Sequence, residues 1–353
     1  MHIIGCDFHP SWQNIAWLDT ETGEVVERKL VHATEDAHRF YRELPAPALV
    51  GVEATGNSQW FVEMVRGYGH EIAVGDAAQI RASYVRKQKT DKRDAAHILK
   101  LLVEERFPKI WVPSSEERDQ RQLLIHRAKL VEVRSRVKNG LQHLALNQGL
   151  QKKRRLWSKA GQQQLHELEL QPWAGRRRSD LFELLKKLDL QIAELDQAVQ
   201  AAAEHDTHAK LLMTQPGVGP ITALAFVLTI GDVARFQRSK QVASYLGLIP
   251  REHSSGGRQK LGAISKQGNR FTRSLLVEAA QSAVRYDPHF RKEYQHRCHS
   301  MPRGVAKVAA ARKLAVRLYW MWRAGVPYPA IVHAGSSPRV PLDVAPQGDR
   351  PQD

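Results

Sequence analysis

The sequence predicts an α/β domain at the front of the chain, then a basic helical and coiled-coil region, then a mostly α-helical domain. Three features carry this expectation. The first 113 residues alternate apolar runs of strand length with helical stretches. Between 114 and 206, apolar residues recur at helical spacing, in one place as a heptad. Beyond 206, a Gly-x-Gly turn joins two helical runs and further helices follow to about residue 330.

The elements of the first domain (1–113) come in this order. His2-Ile3-Ile4-Gly5-Cys6-Asp7-Phe8-His9 reads as a strand with Asp7 near its end. Residues 12–18 form a second strand and 25–31 a third, separated by the turn Asp19-Thr20-Glu21-Thr22-Gly23, so the three make an antiparallel meander. Thr34-Glu35-Asp36 opens a short helix ending at Leu44. Ala48-Leu49-Val50-Gly51-Val52-Glu53-Ala54-Thr55 is a continuous apolar strand carrying one acid, Glu53. A helix over 58–68, a strand over 71–74 and a helix opened by Lys89-Thr90-Asp91-Lys92-Arg93-Asp94-Ala95-Ala96 complete it. That is the order of a ribonuclease-H-like (RuvC-like) domain.

Four acids in this order carry chemical weight. Asp91 and Asp94 are three apart at the start of a helix and share one face. Either alone is explained by the preference for acids in a helix's first turn. Asp7 and Glu53 end apolar strands, where an unpaired carboxylate is costly unless it is paired or binds a cation. Strand ends in an open sheet gather at one crevice, so Asp7, Glu53, Asp91 and Asp94 can converge. Clustered carboxylates suit Mg²⁺ or Mn²⁺, which take oxygen ligands. Two such ions would serve phosphodiester chemistry.

The middle region (114–206) opens at Ser114, an N-cap with Glu117 three residues on. A long helix follows to about Asn147. Lys152, Lys153, Arg154 and Arg155, and then Arg176, Arg177 and Arg178, flank a looser segment containing Trp157 and Trp173. Leu181, Leu185, Leu188, Ile192, Leu195, Val199 and Ala202 then alternate four and three apart. This seam predicts either a coiled coil between copies or a hairpin within one chain. The formal net charge is +16, and +11 of it lies between Arg118 and Arg178, where fifteen Lys/Arg face four Asp/Glu. Such a skew points to a polyanion, nucleic acid before membrane.

The third region (207–330) holds Gln215-Pro216-Gly217-Val218-Gly219-Pro220, resembling a helix-hairpin-helix turn whose N–H groups, at Gly217 and Gly219, can seat a backbone phosphate. Helices are expected over 273–286 and 305–324, and a Pro/Gly-rich tail over 331–353. With only Cys6 and Cys298, a disulfide framework is excluded and a zinc cluster disfavoured. No apolar run nears the roughly 20 residues of a membrane span, and a reducing cytoplasm is the expected compartment.

Gly-Cys-Asp-Phe-His, Val-Glu-Ala-Thr-Gly and Lys-Thr-Asp-Lys-Arg-Asp-Ala-Ala together resemble the DEDD transposases of the IS110 insertion-sequence family, relatives of the pilin-gene invertases. Gly-Leu-x-Pro, Ser-Gly-Gly and Ile-Ser-Lys-x-Gly-Asn are similar, in the same order, to that family's second half. The resemblance spans about residues 3–325, with a weak helical middle. It implies a DNA transposase and recombinase that mobilises an insertion sequence by cleaving and rejoining strands. It also implies a serine nucleophile, which falls on Ser255, with Ser254 as the alternative. Lys260, Lys266, Arg270 and Arg273 would neutralise the phosphorane charge, and His253 is a candidate base. A structured guide RNA and a homo-oligomeric assembly, dimer or tetramer, are further implications. Two rivals remain: a metal-dependent nuclease or Holliday-junction resolvase using only the acids, and a non-catalytic nucleic-acid-binding protein.

Overall fold

The computed structural model describes residues 1–84, 91–151, 155–252 and 260–329, apart from the side chains of Asp91 and Lys92. The chain divides into two compact units, Met1–Val112 and one beginning at Pro113. His253, Ser254, Ser255, Lys152, Lys153, Arg154 and the 331–353 tail lie outside the described residues.

In the first unit, β1 (His2–Phe8), β2 (Trp12–Asp19) and β3 (Val25–Val31) form the expected antiparallel meander. After α1 (Asp36–Glu43), β4 (Ala48–Glu53) pairs parallel with β1. After α2 (Gln59–Gly67), β5 (Glu71–Gly75) pairs parallel with β4, giving the order β3-β2-β1-β4-β5. This mixed sheet is ribonuclease-H-like. Its central strands are buried on both faces, which is why β1 and β4 read as nearly unbroken apolar runs. Ile4, Cys6, Val50 and Val52 pack on one face with Phe40, Tyr41, Phe61 and Val65 of α1 and α2.

The other face is closed by α3 (Ala77–Ala82) and α4 (Asp91–Val103). Ile3 of β1 and Ala73 of β5 cluster there with Ile80, Ala95, Ile98 and Leu102. The helix α4 lies so close to β1 that a Cβ on Gly5 would stand 2.2 Å from the Ala95 carbonyl oxygen and 2.4 Å from the Leu99 nitrogen. Only a residue without a side chain admits that approach. Asp76, whose carboxylate accepts from the N–H groups of Ala78 and Gln79, caps α3, a six-residue helix the hydrophobic pattern does not announce.

The second unit opens with α5 (Ser115–Asn147), capped by the anticipated Ser114/Glu117 box. Next come α6 (Lys159–Glu167) and α7 (Pro172–His205). Arg176, Arg177 and Arg178 therefore lie inside a helix, not beside a loose segment. The pairs Arg127–Asp196 (2.8 Å) and Arg134–Asp189 (3.2 Å) run in opposite sense along α5 and α7, so the two helices form an antiparallel hairpin. The heptad residues Leu185, Leu188 and Ile192 are buried against Val137 and Leu141 of α5. The hairpin alternative for the seam is the one realised within the chain.

Beyond it lie α8 (Thr207–Leu212), α9 (Pro220–Ile230), α10 (Ser239–Tyr245), β6 (Pro250–Glu252), β7 (Leu261–Ile264), α11 (Arg270–Tyr286), α12 (Pro288–Ser300) and α13 (Arg303–Ala324). Helix α9 is buried from Thr222 to Ile230 and forms the core that α7, α8, α11 and α13 enclose. The Gly-x-Gly turn between α8 and α9 serves this packing. Gly217, at φ 89°, has its Cβ position 2.4 Å from the Ala283 nitrogen of α11, so any side chain there would collide with that backbone. Gly219 is the open N-cap of α9. Among the described residues no helix is long and apolar enough to cross a membrane.

Candidate active site and nucleic-acid interface

Parallel pairing of β1 and β4 runs in register to Cys6 and Val52, so Asp7 and Glu53 stand one residue further along each strand, at neighbouring carboxyl ends. Side chains alternate along a strand. Because Cys6 and Val52 enter the α1/α2 core, Asp7 and Glu53 belong to the face that α4 covers. Asp94, in the first turns of α4, is only 6% exposed. Asp7 is partly buried and its Oδ2 lies 3.2 Å from His9 Nε2, while the His9 ring stacks on Trp12.

The point where the three described acids meet is Tyr84. Its hydroxyl donates to Asp94 Oδ1 at 2.7 Å. Burial, then the hydrogen bond to Asp94, then the charges of Asp94, Asp7 and Glu53 push the Tyr84 phenol well above its ordinary pKa. The Tyr84 ring stacks on His97, centroids 4.1 Å apart. Burial, followed by the nearby Lys100 charge, pushes the His97 imidazole below its usual value. On the reverse face of β1, burial and the Asp7 charge drive the Cys6 thiol upward, so it stays a neutral core group donating to Gln13 Oε1.

The donor set is all carboxylate oxygen, which fits a hard divalent cation. Among the described residues no three His, Cys, Asp or Glu side chains form a complete metal-binding group. Asp91 begins α4, but its side chain, the fourth of the set, lies outside the described residues. Tyr84 had no signature in the sequence. Its bond to Asp94 spans ten residues and depends on how α4 sits on the sheet.

In the second unit, β6 and β7 pair antiparallel, with Pro250 opposite Ile264 and Glu252 opposite Leu261. This short hairpin was not anticipated, and it brackets the segment that holds Ser254 and Ser255. Beside it is a cleft of about 660 Å³ lined by Lys266, Arg270, Arg273, Ser274 and Glu278 among others. Three cations against one carboxylate give it a positive field. Arg273 is held in place, donating to the Leu246 carbonyl at 3.1 Å and the Gln267 carbonyl at 2.7 Å. Lys266 sits at φ 58°, a left-handed backbone unusual for a residue with a side chain. Lys260 is exposed just before β7.

The basic residues of the middle region divide in role. Arg178 Nη1 donates to the Leu165 and Leu168 carbonyls and closes the end of α6. Arg176 pairs with Asp180 one turn on. Arg155 and Arg177 are exposed, as is Trp173, which is 85% accessible near the start of α7.

Comparison with known proteins adds a second line. Residues 4–148 match a DEDD transposase profile, across the unit boundary to the end of α5, and residues 209–295 match that of the transposase IS116/IS110/IS902 family. A probable family 20 transposase of Pseudomonas aeruginosa is 31% identical over 328 residues, 90% of this chain and 95% of the relative. The transposase for insertion sequence element IS1111A of Coxiella burnetii is 27% identical over 80% of this chain and 78% of its own length. The pilin gene-inverting protein of Moraxella lacunata is 26% identical over 92% and 93%.

Proposed function

The chain belongs to the IS116/IS110/IS902 family of transposases, and from that premise we propose that it moves an insertion sequence through a carboxylate metal site and a serine nucleophile. The observation that carries the metal site is the shared reach of Asp7, Glu53 and Asp94 to one hydroxyl at the carboxyl edge of the sheet. Asp91, next on the same helix, completes the set. Mg²⁺ is the proposed ion, with Mn²⁺ as a substitute. Bound there, it supplies Lewis-acid charge to the reacting phosphodiester.

In the proposed reaction Ser255 Oγ, with Ser254 as the alternative, loses its proton and attacks phosphorus. The new serine–phosphate bond forms as one P–O ester bond breaks, and the released strand end takes the proton as a hydroxyl. Rejoining reverses the step: a strand hydroxyl attacks the same phosphorus and serine leaves. Lys260, Lys266, Arg270 and Arg273 neutralise the charge on the pentavalent phosphorus. Their cleft beside the β6–β7 hairpin supports that role. Lys152, Lys153, Arg154, Arg155, Arg176, Arg177, Arg178, Gly217 and Gly219 are proposed nucleic-acid contacts, with Arg177 and Arg155 the best exposed of those described.

The division into a catalytic domain (1–113), a basic helical region (114–206), a serine-bearing domain (207–330) and a tail (331–353) belongs to the same reading. So do a structured guide RNA on the basic middle, a homo-oligomer, and a cytoplasmic site of action. A recombination assay on donor and target DNA tests the core of it. Asp7→Asn, Glu53→Gln and Asp94→Asn should each lose product, as should the wild-type chain after chelation. Unchanged recombination in all three variants would leave only a nucleic-acid-binding role.

A further inference from the structure

We propose that Tyr84 is a positioning residue, holding the Asp94 carboxylate in the orientation that receives a divalent cation; the proposal rests on the reading of Asp94 as a metal ligand. Three linked contacts fix the phenol. Its hydroxyl donates to Asp94 Oδ1 at 2.7 Å. Its ring lies 26° from parallel with His97, centroids 4.1 Å apart. His97 Nε2 in turn is 2.8 Å from Ser83 Oγ.

The direction of that last bond follows from counting protons. Ser83 Oγ donates its single hydrogen to the Ile80 carbonyl at 2.7 Å, so His97 Nε2 must be the donor to Ser83. The imidazole is thereby locked in one tautomer and one orientation. Ile80 is 1% exposed and sits in the cluster under the sheet. The rigid core thus reaches Asp94 through Ile80, Ser83, His97 and Tyr84. Asp94 and His97 are three apart on α4 and share a face, so Tyr84 spans both.

A tyrosine placed only for packing would give its proton to a neutral acceptor, as buried Tyr319 does to the Phe236 carbonyl at 2.7 Å. Tyr84 instead donates where three carboxylates bear on one hydroxyl. An ionised carboxylate has about four lone-pair sites. One hydrogen bond on Oδ1 fixes its rotation and leaves Oδ2 to coordinate. Partners of this kind set metal affinity, and their loss weakens binding about 10–100-fold.

The test is a titration of the full-length chain with Mn²⁺, following free Mn²⁺ by its paramagnetic resonance signal, in wild type, Tyr84→Phe and Asp94→Asn. Tyr84→Phe removes one oxygen and keeps the ring on His97. It should raise the Mn²⁺ dissociation constant about 10–100-fold. The half-saturating Mn²⁺ for strand cleavage should shift by the same factor, with the rate recovering at saturating metal. An affinity within twofold of wild type, while Asp94→Asn no longer binds, would overturn the role of Tyr84 and leave the metal site standing. Wild-type affinity in Asp94→Asn would instead remove the metal reading and this proposal with it. Should Tyr84→Phe unfold at the assay temperature, Ser83→Ala, which frees His97 to turn out of the stack, is titrated against the same two outcomes.

Discussion

Asp94 is the residue whose surroundings say most about function, because a carboxylate 6% exposed is rarely tolerated without a partner or a cation. Its neighbour in the fold, Gly5, is there to let α4 come close enough to deliver it. Gly5→Ala should therefore cost about 1–3 kcal/mol in denaturant unfolding, because its Cβ would overlap the α4 backbone, and recombination should fall with it. Lys266 offers the opposite combination. Its left-handed backbone costs about 1 kcal/mol in a non-glycine residue, so Lys266→Gly should change thermal stability little while weakening DNA binding in a gel-shift titration. The acids were legible from the sequence because each violates the local rule for its element. Tyr84 was not, since a tyrosine after a short helix violates nothing and acquires its meaning only from Asp94.

At the scale of elements, strands announced themselves to within a residue or two, because a doubly covered sheet demands unbroken apolar runs. The long helix α5 was legible at both ends through its capping box and the turn after Asn147. What escaped were short or exposed pieces with little apolar pattern: α3, α6, the β6–β7 hairpin and α12, where Phe290 is the one residue fully buried. The heptad seam was legible, but its partner was not, since the same stripe fits another chain or α5. With α5 as partner, Leu188→Ala should destabilise the chain by about 2–5 kcal/mol, and the wild-type melting temperature should not depend on protein concentration. The junction of α11, α12 and α13 makes a pH prediction. Burial raises the Asp287 pKa, but bonds from Tyr328, the Phe290 N–H and Arg317 outweigh it and hold the carboxyl below its ordinary value. A depressed carboxylate adds stability above its unfolded pKa of about 3.9 and loses it as pH falls through the lower folded value. Asp287→Asn should therefore be less stable than wild type at neutral pH, with the gap closing below about pH 4.

On the scale of the whole molecule, the formal charge of +16 is a statement about partners, not about fold. Binding to DNA should weaken linearly in log–log form as salt rises, with a slope of about −0.9 per phosphate contacted. Arg177→Ala should lower that slope by about one and affect all sequences alike, whereas Arg178→Ala should act chiefly on stability, because it closes the end of α6. The two ends of the chain were readable as chemistry because each carries compact motifs. The middle was readable only as charge and periodicity, properties that many partners satisfy. The central claim is that the acids of the first unit and a serine of the second serve a single phosphodiester. Its most direct test is denaturing-gel detection of a covalent protein–DNA adduct on labelled donor DNA with Mg²⁺. The adduct should form with the wild-type chain and vanish in both Ser255→Ala and Asp94→Asn. Adduct formation by Asp94→Asn at the wild-type level, or strand cleavage by a Ser254→Ala/Ser255→Ala double variant at the wild-type rate, would contradict it.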